Sequence, residues 1–196
     1  MTTSSNHIFK EALLLASTSP RRAEILSGAG WPFEIVKVGI DESLREGETA
    51  DAYVRRLACD KAMSAAAKLT RGLILAADTT VVVDDQILGQ PEDDDDARRM
   101  LKMLSGKTHQ VLTGVALVRA EDSTTLIVAH ETTSVRFSSM ANDEIDWYVA
   151  TGEPRGKAGA YAVQGRAALF IDGVEGDYFN IVGLPLRLVY KMVQRM

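Results

Sequence analysis

The strongest constraint in this sequence is the run from Leu73 to Val83, eleven residues that are apolar except at positions 78–80. A continuous apolar run of this kind is typical of a buried strand inside a sheet. Asp78 interrupts the run, and a carboxylate in an apolar strand is costly unless it is paired. Because such residues concentrate at functional sites, Asp78 is a candidate metal ligand or a candidate base for a water molecule. The alternative is a structural carboxylate that accepts hydrogen bonds from loop amides.

The pattern around this run alternates between strands and helices, which predicts an α/β fold with a mixed β-sheet and flanking helices. The expected strands cover residues 12–16, 33–38, 73–83, 86–88, 110–119, 125–137, 167–171 and 178–182. The expected helices cover residues 19–28, 49–69, 92–106, 143–150 and 185–196. The two long strands, 110–119 and 125–137, are joined by a polar turn and are expected to pair antiparallel.

The composition excludes several classes of protein. The formal net charge of -5 disfavours a nucleic-acid-binding protein, which is usually basic. Cys59 is the only cysteine and the three histidines are far apart, so neither an internal disulfide nor zinc-ligand spacing is present. No apolar run is long enough to span a membrane, and the N-terminus lacks the apolar core of a signal peptide. We expect a soluble cytoplasmic protein, with a disordered or frayed tail at residues 1–9 and one domain at residues 10–196.

A second signal is the segment from Ser17 to Arg22. Pro20 suits the first position of a helix, which places Arg21 and Arg22 in its first turn, where cations oppose the helix dipole. A bound anion would remove that cost, because free backbone N–H groups, guanidinium groups and the Ser17 hydroxyl together suit a phosphate. The alternative is that the arginines pair with local acids such as Glu24.

Other charged residues are less informative on their own. Asp41 and Glu42 follow an expected strand and Lys61 lies within an expected helix, and each taken alone is typical of an ordinary surface charge. The segment Ser105–Thr108 imitates the end of a P-loop but follows a helix and lacks the earlier glycine. The acidic run at residues 92–96 is typical of a solvated helix start.

Taken together, five segments resemble the Maf family of nucleoside triphosphate pyrophosphatases, once described as septum-formation inhibitors. These segments are Leu15–Arg22, Ala77–Thr79, Leu104–His109, Lys157–Gly165 and Val182–Pro185. The resemblance implies a two-lobed, inosine-triphosphatase-like fold with a central cleft. It also implies hydrolysis of the triphosphate to monophosphate and pyrophosphate, a Mg²⁺ or Mn²⁺ cofactor, and a homodimer. With the composition, it predicts a protein that binds neither nucleic acid nor a membrane.

The resemblance also implies a role for each matching residue. Ser17, Arg21, Arg22 and Lys61 would bind phosphate. Glu42 and Asp78 would belong to the metal centre, with Asp78 as the general base. Arg21, Thr79 and Gln164 match the branch that prefers dTTP and UTP, and an amide such as Gln164 can pair with a pyrimidine edge.

One position departs from the family pattern. Gln90 stands before Pro91, where the family usually has a lysine thought to contact phosphate. A neutral amide does not supply that charge, which predicts weaker triphosphate binding unless another cation such as Lys157 compensates. The departure also keeps open a non-catalytic, nucleotide-sensing or partner-binding regulator of division. A phosphatase that releases inorganic phosphate is a third hypothesis.

Overall fold

The computed structural model describes Phe9 and residues 11–196, and in that part of the chain seven strands form one mixed sheet. The strands are β1 (Leu13–Leu15), β2 (Phe33–Ile35), β3 (Leu73–Val83), β4 (Gln86–Leu88), β5 (Thr108–Arg119), β6 (Asp122–Phe137) and β7 (Ile171–Glu175). The α-helices are α1 (Pro20–Gly28), α2 (Ala50–Ala66), α3 (Asp94–Leu104), α4 (Asn142–Ala150), α5 (Tyr178–Val182) and α6 (Leu186–Val193). The predicted α/β class with a mixed sheet and flanking helices is confirmed.

The predicted N-terminal tail falls outside the described residues apart from Phe9. The ring of Phe9 stacks on Trp31, with 4.4 Å between the ring centroids. No helix in the described part of the chain is long and apolar enough to cross a membrane.

Strand β3 organises the sheet, whose order is β2-β1-β3-β5-β6-β7, with β4 paired to the far end of β3. The short strand β1 runs parallel to β2 and β3, and the remaining pairs are antiparallel. Strand β1 pairs with β3 only from Leu73 to Leu75, whereas β3 continues to Val83. The sheet therefore opens beside the second half of β3, where β1 has turned into the start of α1.

Separate groups of buried side chains support the two ends of the sheet. At the β1 end, one face carries leucines that pack with α1 and α6, and the other face carries alanines that pack against α2. At the far end of β3, Val81 packs with Leu101 of α3 and Tyr148 of α4. These groups form the two lobes, and the open part of the sheet lies between them.

A glycine on β5 sets the distance between α2 and the sheet. Gly114 lies directly opposite Asp78 in the β3–β5 register. A Cβ atom on Gly114 would lie 2.1 Å from the backbone oxygen of Val54 in α2, which is shorter than any real contact. The helix backbone therefore rests directly on the sheet beside Asp78.

Two predicted strands are wrong. Residues 166–170 form a short 3₁₀-helix, and the strand begins only at Ile171. Residues 178–182 form helix α5 because the Asp177 side chain accepts hydrogen bonds from the N–H groups of Phe179 and Asn180. An aspartate in this N-cap position outweighs the strand propensity of the aromatic and branched residues that follow it.

Candidate active site

The predicted site residues meet in one cavity of about 260 Å³ at the opening of the sheet. Its lining includes the residues to which the family resemblance gave a role in phosphate binding, metal binding, general-base catalysis or nucleobase preference. These are Ser17, Arg21, Arg22, Glu42, Lys61, Asp78, Thr79 and Gln164. Gln90 and Lys157 also line it. The start of α1, the middle of β3 and the loop at residues 156–164 form its walls.

Arg22 is built into the wall of this cavity. It is 8% exposed, and its guanidinium donates to the Gly183 carbonyl (2.8 Å), the Ser17 hydroxyl (3.0 Å) and the Thr79 hydroxyl (3.1 Å). Burial lowers the pKa of Arg22, and the negative charge of Asp78 opposes that shift. Because three neutral oxygens hold it and five N–H groups are available on a guanidinium, Arg22 is a fixed buried cation with donors to spare.

The alternative, in which these arginines pair with local acids, is not found. No carboxylate lies within salt-bridge distance of Arg21 or Arg22 among the described residues. Arg21 makes one long contact, 3.5 Å from its Nη2 to the Gly156 carbonyl oxygen, and burial lowers its pKa. Ser19 is the N-cap of α1, but its side chain makes no capping bond; instead its N–H donates to the Ser17 hydroxyl. The helix start is therefore strongly positive and free to receive an anion.

Asp78 has a cationic partner, and not the loop amides of the structural alternative. Lys61 Nζ lies 2.6 Å from Asp78 Oδ1 and 2.8 Å from Glu42 Oε1. The Lys61 and Asp78 side chains are 13% and 12% exposed, whereas the Glu42 side chain is 54% exposed. One ammonium thus joins a carboxylate in the floor of the cavity to a second carboxylate at its rim.

The loop that carries Glu42 is tied down by the helix that carries Lys61. The Tyr53 hydroxyl donates to the Glu42 carbonyl oxygen (2.9 Å), and Arg56 donates to the Ser43 carbonyl oxygen (3.0 Å). Both donors belong to α2. The helix therefore places the ammonium and one of its two carboxylate partners together.

The carboxylates of the site supply only some of the oxygen ligands that a divalent cation such as Mg²⁺ needs. Within the described ranges, no group of three or more His, Cys, Asp and Glu side chains is arranged to hold a metal ion. Glu42 and Asp78 are nonetheless two carboxylates that share one cation. Mg²⁺ is commonly bound by one or two carboxylates together with substrate phosphates, so this pair suits a cation that arrives with a phosphate ligand.

The Thr79 hydroxyl is occupied within the protein. It accepts from Arg22, lies 2.9 Å from the Thr113 hydroxyl and lies 3.5 Å from the Gly183 carbonyl oxygen. This network positions Arg22 and ties β3 to β5 and to the turn after α5. Thr79 therefore contacts Arg22 directly. The predicted role of Thr79 in nucleobase preference stays a prediction.

Gln90 and Lys157 line the cavity from the segments that follow β4 and α4. The loop bearing Lys157 is anchored where the Gly159 N–H donates to the Gly89 carbonyl oxygen (3.0 Å). Gly159 has φ +67°, and a Cβ atom there would lie 2.8 Å from Val81, so a glycine is required at this crossing. Burial lowers the pKa of Lys157 and the charge of Arg21 lowers it further, while Glu153 opposes both. Two cations therefore approach each other across the cavity near the position of Gln90.

Tyr161 and His109 are parts of the site that the sequence did not single out as functional. Tyr161 lines the cavity, and its hydroxyl lies 2.9 Å from His109 Nε2 in the buried layer behind. Burial lowers the pKa of His109 to about 4. His109 itself does not line the cavity, and the motif Lys157–Gly165 already contained Tyr161.

Comparison with known proteins places these observations in a family. A family model described as Maf-like protein matches residues 12–196. The chain is 48% identical over 183 residues to the dTTP/UTP pyrophosphatase of Symbiobacterium thermophilum, covering 93% of each chain. It is 50% identical over 181 residues to the dTTP/UTP pyrophosphatase of Moorella thermoacetica, covering 92% of this chain and 93% of that protein.

The fold also matches solved structures. The HAM1 protein from Coxiella burnetii aligns with a TM-score of 0.53 at 16% identity, over 94% of this chain and 99% of that one. At this identity the likeness concerns the fold alone, and it agrees with the fold implied by the sequence motifs.

Proposed function

The chain belongs to the Maf family, and from this premise we propose that it is a nucleoside triphosphate pyrophosphatase acting on dTTP and UTP. The observation that carries the proposal is that Arg21 and Arg22 line the same cavity as the Asp78–Lys61–Glu42 cluster. A cavity with cations on one wall and carboxylates on another has the charge pattern that a metal-bound polyphosphate requires.

Phosphate binding is assigned to the positive wall. Arg22 is fixed by three neutral oxygen acceptors, so its remaining N–H groups are already oriented when an anion arrives. Arg21 and Lys157 raise the positive potential, and the α1 N-terminus adds backbone donors. Ser17 holds Arg22 and can donate its own hydroxyl proton to a phosphate oxygen. Lys61 supplies a further cation once its carboxylate partners are shared with a metal.

The cofactor we propose is Mg²⁺ or Mn²⁺, held by Glu42 and Asp78 together with substrate phosphate oxygens. Such a cation would stabilise the negative charge that develops on the phosphate group during hydrolysis. The exposure of Glu42 at the rim and the shielding of Asp78 in the floor fit a site that is completed by the nucleotide.

In the proposed reaction, a water molecule attacks the α-phosphorus. Asp78 accepts a proton from the water, a P–O bond forms, and the bond from the α-phosphorus to the bridging oxygen breaks. Pyrophosphate leaves with the bonding electrons, and the monophosphate keeps the new oxygen. Arg21, Arg22 and Lys61 offset the charge on the non-bridging oxygens.

The base preference is assigned to Gln164, with Arg21 and Thr79 in supporting positions. Gln164 is exposed and lines the cavity, and its side-chain amide makes no hydrogen bond with the described residues. A free amide offers one acceptor and two donors, which suits the edge of a uracil or thymine ring. This supports a pyrimidine preference.

The test is a substrate panel with the purified protein. We expect pyrophosphate and monophosphate from dTTP and UTP with Mn²⁺ or Mg²⁺, and much slower release from purine triphosphates. A phosphatase would release inorganic phosphate instead, and a nucleotide-sensing regulator would bind dTTP without forming a product. Either result would overturn the proposal.

We further propose that the protein is a homodimer in the cytoplasm, as the family resemblance implies. Light scattering on the purified protein and fractionation of cells carrying it test these two points. A monomer at micromolar concentration, or recovery in a membrane fraction, would contradict them.

A further inference from the structure

A carboxylate outside the cavity wall organises the turn that carries Gln164. Glu153 lies after α4, and its side chain accepts from the N–H groups of Arg166 (3.1 Å) and Ala167 (3.4 Å). Its Oε1 also accepts from the Tyr148 hydroxyl at 2.8 Å. One carboxylate therefore binds the backbone just after Gln164 and is itself held by a buried phenol.

The same phenol binds the backbone before Gln164. The Ala162 N–H donates to the Tyr148 hydroxyl oxygen at 3.2 Å. Within the turn, the Gly165 N–H donates to the Ala162 carbonyl oxygen at 3.0 Å. Tyr148 and Glu153 together thus hold both ends of a tight turn whose outward residue is Gln164.

The packing leaves little freedom in this arrangement. Tyr148 is fully buried, and burial raises the pKa of its hydroxyl, so it stays a neutral donor. A Cβ atom on Gly165 would lie 2.2 Å from Glu153 Oε1. The φ of Gly165 is -110°, so an alanine here would not strain the backbone, but its methyl group would displace the Glu153 carboxylate.

We propose that Tyr148 and Glu153 are positioning residues that set the base preference by fixing the direction of the Gln164 amide. The inference rests on the proposed function, because it assigns Gln164 to the nucleobase. Neither residue lines the cavity, so both act through the turn. An amide with a fixed direction discriminates between bases, whereas a mobile amide can reorient to suit either kind of edge.

The test compares Tyr148→Phe, Gly165→Ala and Gln164→Ala with the wild-type protein. Tyr148→Phe keeps the buried ring but removes the hydroxyl. In Gly165→Ala, the new methyl group displaces the Glu153 carboxylate from the turn. We expect each of the three variants to lower the ratio of kcat/KM for dTTP over dGTP by about tenfold. The loss should appear mainly in KM for dTTP, with kcat within about threefold of wild type. Glu153→Gln, which keeps one acceptor oxygen, should fall between the wild type and Glu153→Ala.

Tyr190→Phe is the matched control, since it removes a phenol hydroxyl on α6 that does not line the cavity and has no hydrogen bond to the turn among the described residues. Amide exchange of residues 162, 166 and 167 provides a readout that needs no activity, and we expect it to accelerate in Tyr148→Phe and Glu153→Gln. Unchanged exchange, or an unchanged dTTP preference in Tyr148→Phe beside an altered one in Gln164→Ala, would overturn the inference. If the wild-type protein releases no pyrophosphate, the proposed function fails instead. Faster amide exchange in the variants would still support the role of Tyr148 and Glu153 in holding the turn.

Discussion

Lys61 Nζ lies 2.6 Å from Asp78 Oδ1, so the middle of α2 is joined by an ion pair to the middle of β3. The same ammonium lies 2.8 Å from Glu42 Oε1. In the free protein, one lysine therefore occupies the region between the two carboxylates assigned to a divalent cation. A metal and this lysine must share the pair, which makes the affinity for metal dependent on Lys61.

Replacing Lys61 by Met separates these roles. Without the ammonium, the two carboxylates repel each other, and a divalent cation relieves that repulsion. We expect Lys61→Met to bind Mn²⁺ more tightly than wild type in the absence of nucleotide, yet to hydrolyse dTTP more slowly because a phosphate-binding charge is lost. Calorimetric titration and pyrophosphate release measure the two effects.

Lys68→Met is the control, because Lys68 is exposed just beyond the end of α2. It should change neither quantity. Weaker Mn²⁺ binding by Lys61→Met would show that the ammonium does not compete with the metal.

Gln90→Lys should restore a charge that the family usually has at this position. Gln90 lines the same cavity as Lys157 and Arg21, so we expect an added ammonium to reach the same polyphosphate. We expect a lower KM for dTTP, by up to about tenfold for one charge-assisted contact. Steady-state kinetics at constant ionic strength check this, with Gln86→Lys on the exposed part of the hairpin as control.

A double-mutant cycle then tests whether Lys157 compensates for Gln90. Lys157→Ala should raise KM strongly when Gln90 is present and less strongly beside Gln90→Lys. Equal effects in both backgrounds, or a KM for Gln90→Lys at or above the wild-type value, would refute this explanation.

Gly114→Ala should destabilise the protein and impair the site. The new methyl group would meet the Val54 carbonyl oxygen, so α2 must shift away from the sheet and carry Lys61 with it. Overpacking of this kind costs typically about 1–3 kcal/mol, and the backbone contact places this site at the upper end. Urea denaturation measures the loss. Gly28→Ala is the matched control because a Cβ atom there meets nothing within 4 Å, and a similar stability for both variants would contradict the packing explanation.

His109 should make the folded state sensitive to mild acid. Burial lowers its pKa from 6.5 to about 4, so between these values the unfolded chain binds a proton that the folded chain does not. The contribution of His109 to the free energy of unfolding is therefore fully present above about pH 6.5. It declines as the pH falls toward 4, by a total on the order of 3 kcal/mol. The comparison of wild type with His109→Gln by urea denaturation isolates the effect from that of the carboxylates.

His130→Gln, which removes an exposed histidine on β6, should keep the wild-type decline. An equally steep decline in His109→Gln would mean that this histidine does not carry the effect.

Much of the site was predictable because its parts are local in sequence. The apolar run with one carboxylate gave β3 with the bounds Leu73–Val83, and the arginines after Pro20 marked the positive start of α1. The pairing of Lys61 with Asp78 was not predictable from the residues alone, since it depends on how closely α2 packs at Gly114. The same is true of Glu153, whose partners become neighbours only when the chain after α4 folds back. Helix α5 was missed because a single capping aspartate outweighed the strand pattern.

The most direct test of the proposed chemistry is pyrophosphate release from dTTP by Asp78→Asn with Mn²⁺ present. The amide has nearly the same shape but does not accept the proton of the attacking water. We expect the variant to keep its circular dichroism spectrum and to release pyrophosphate at least about 100-fold more slowly than wild type, as the loss of a general base requires. A folded Asp78→Asn protein that releases pyrophosphate at the wild-type rate would contradict the assignment of Asp78 as the base.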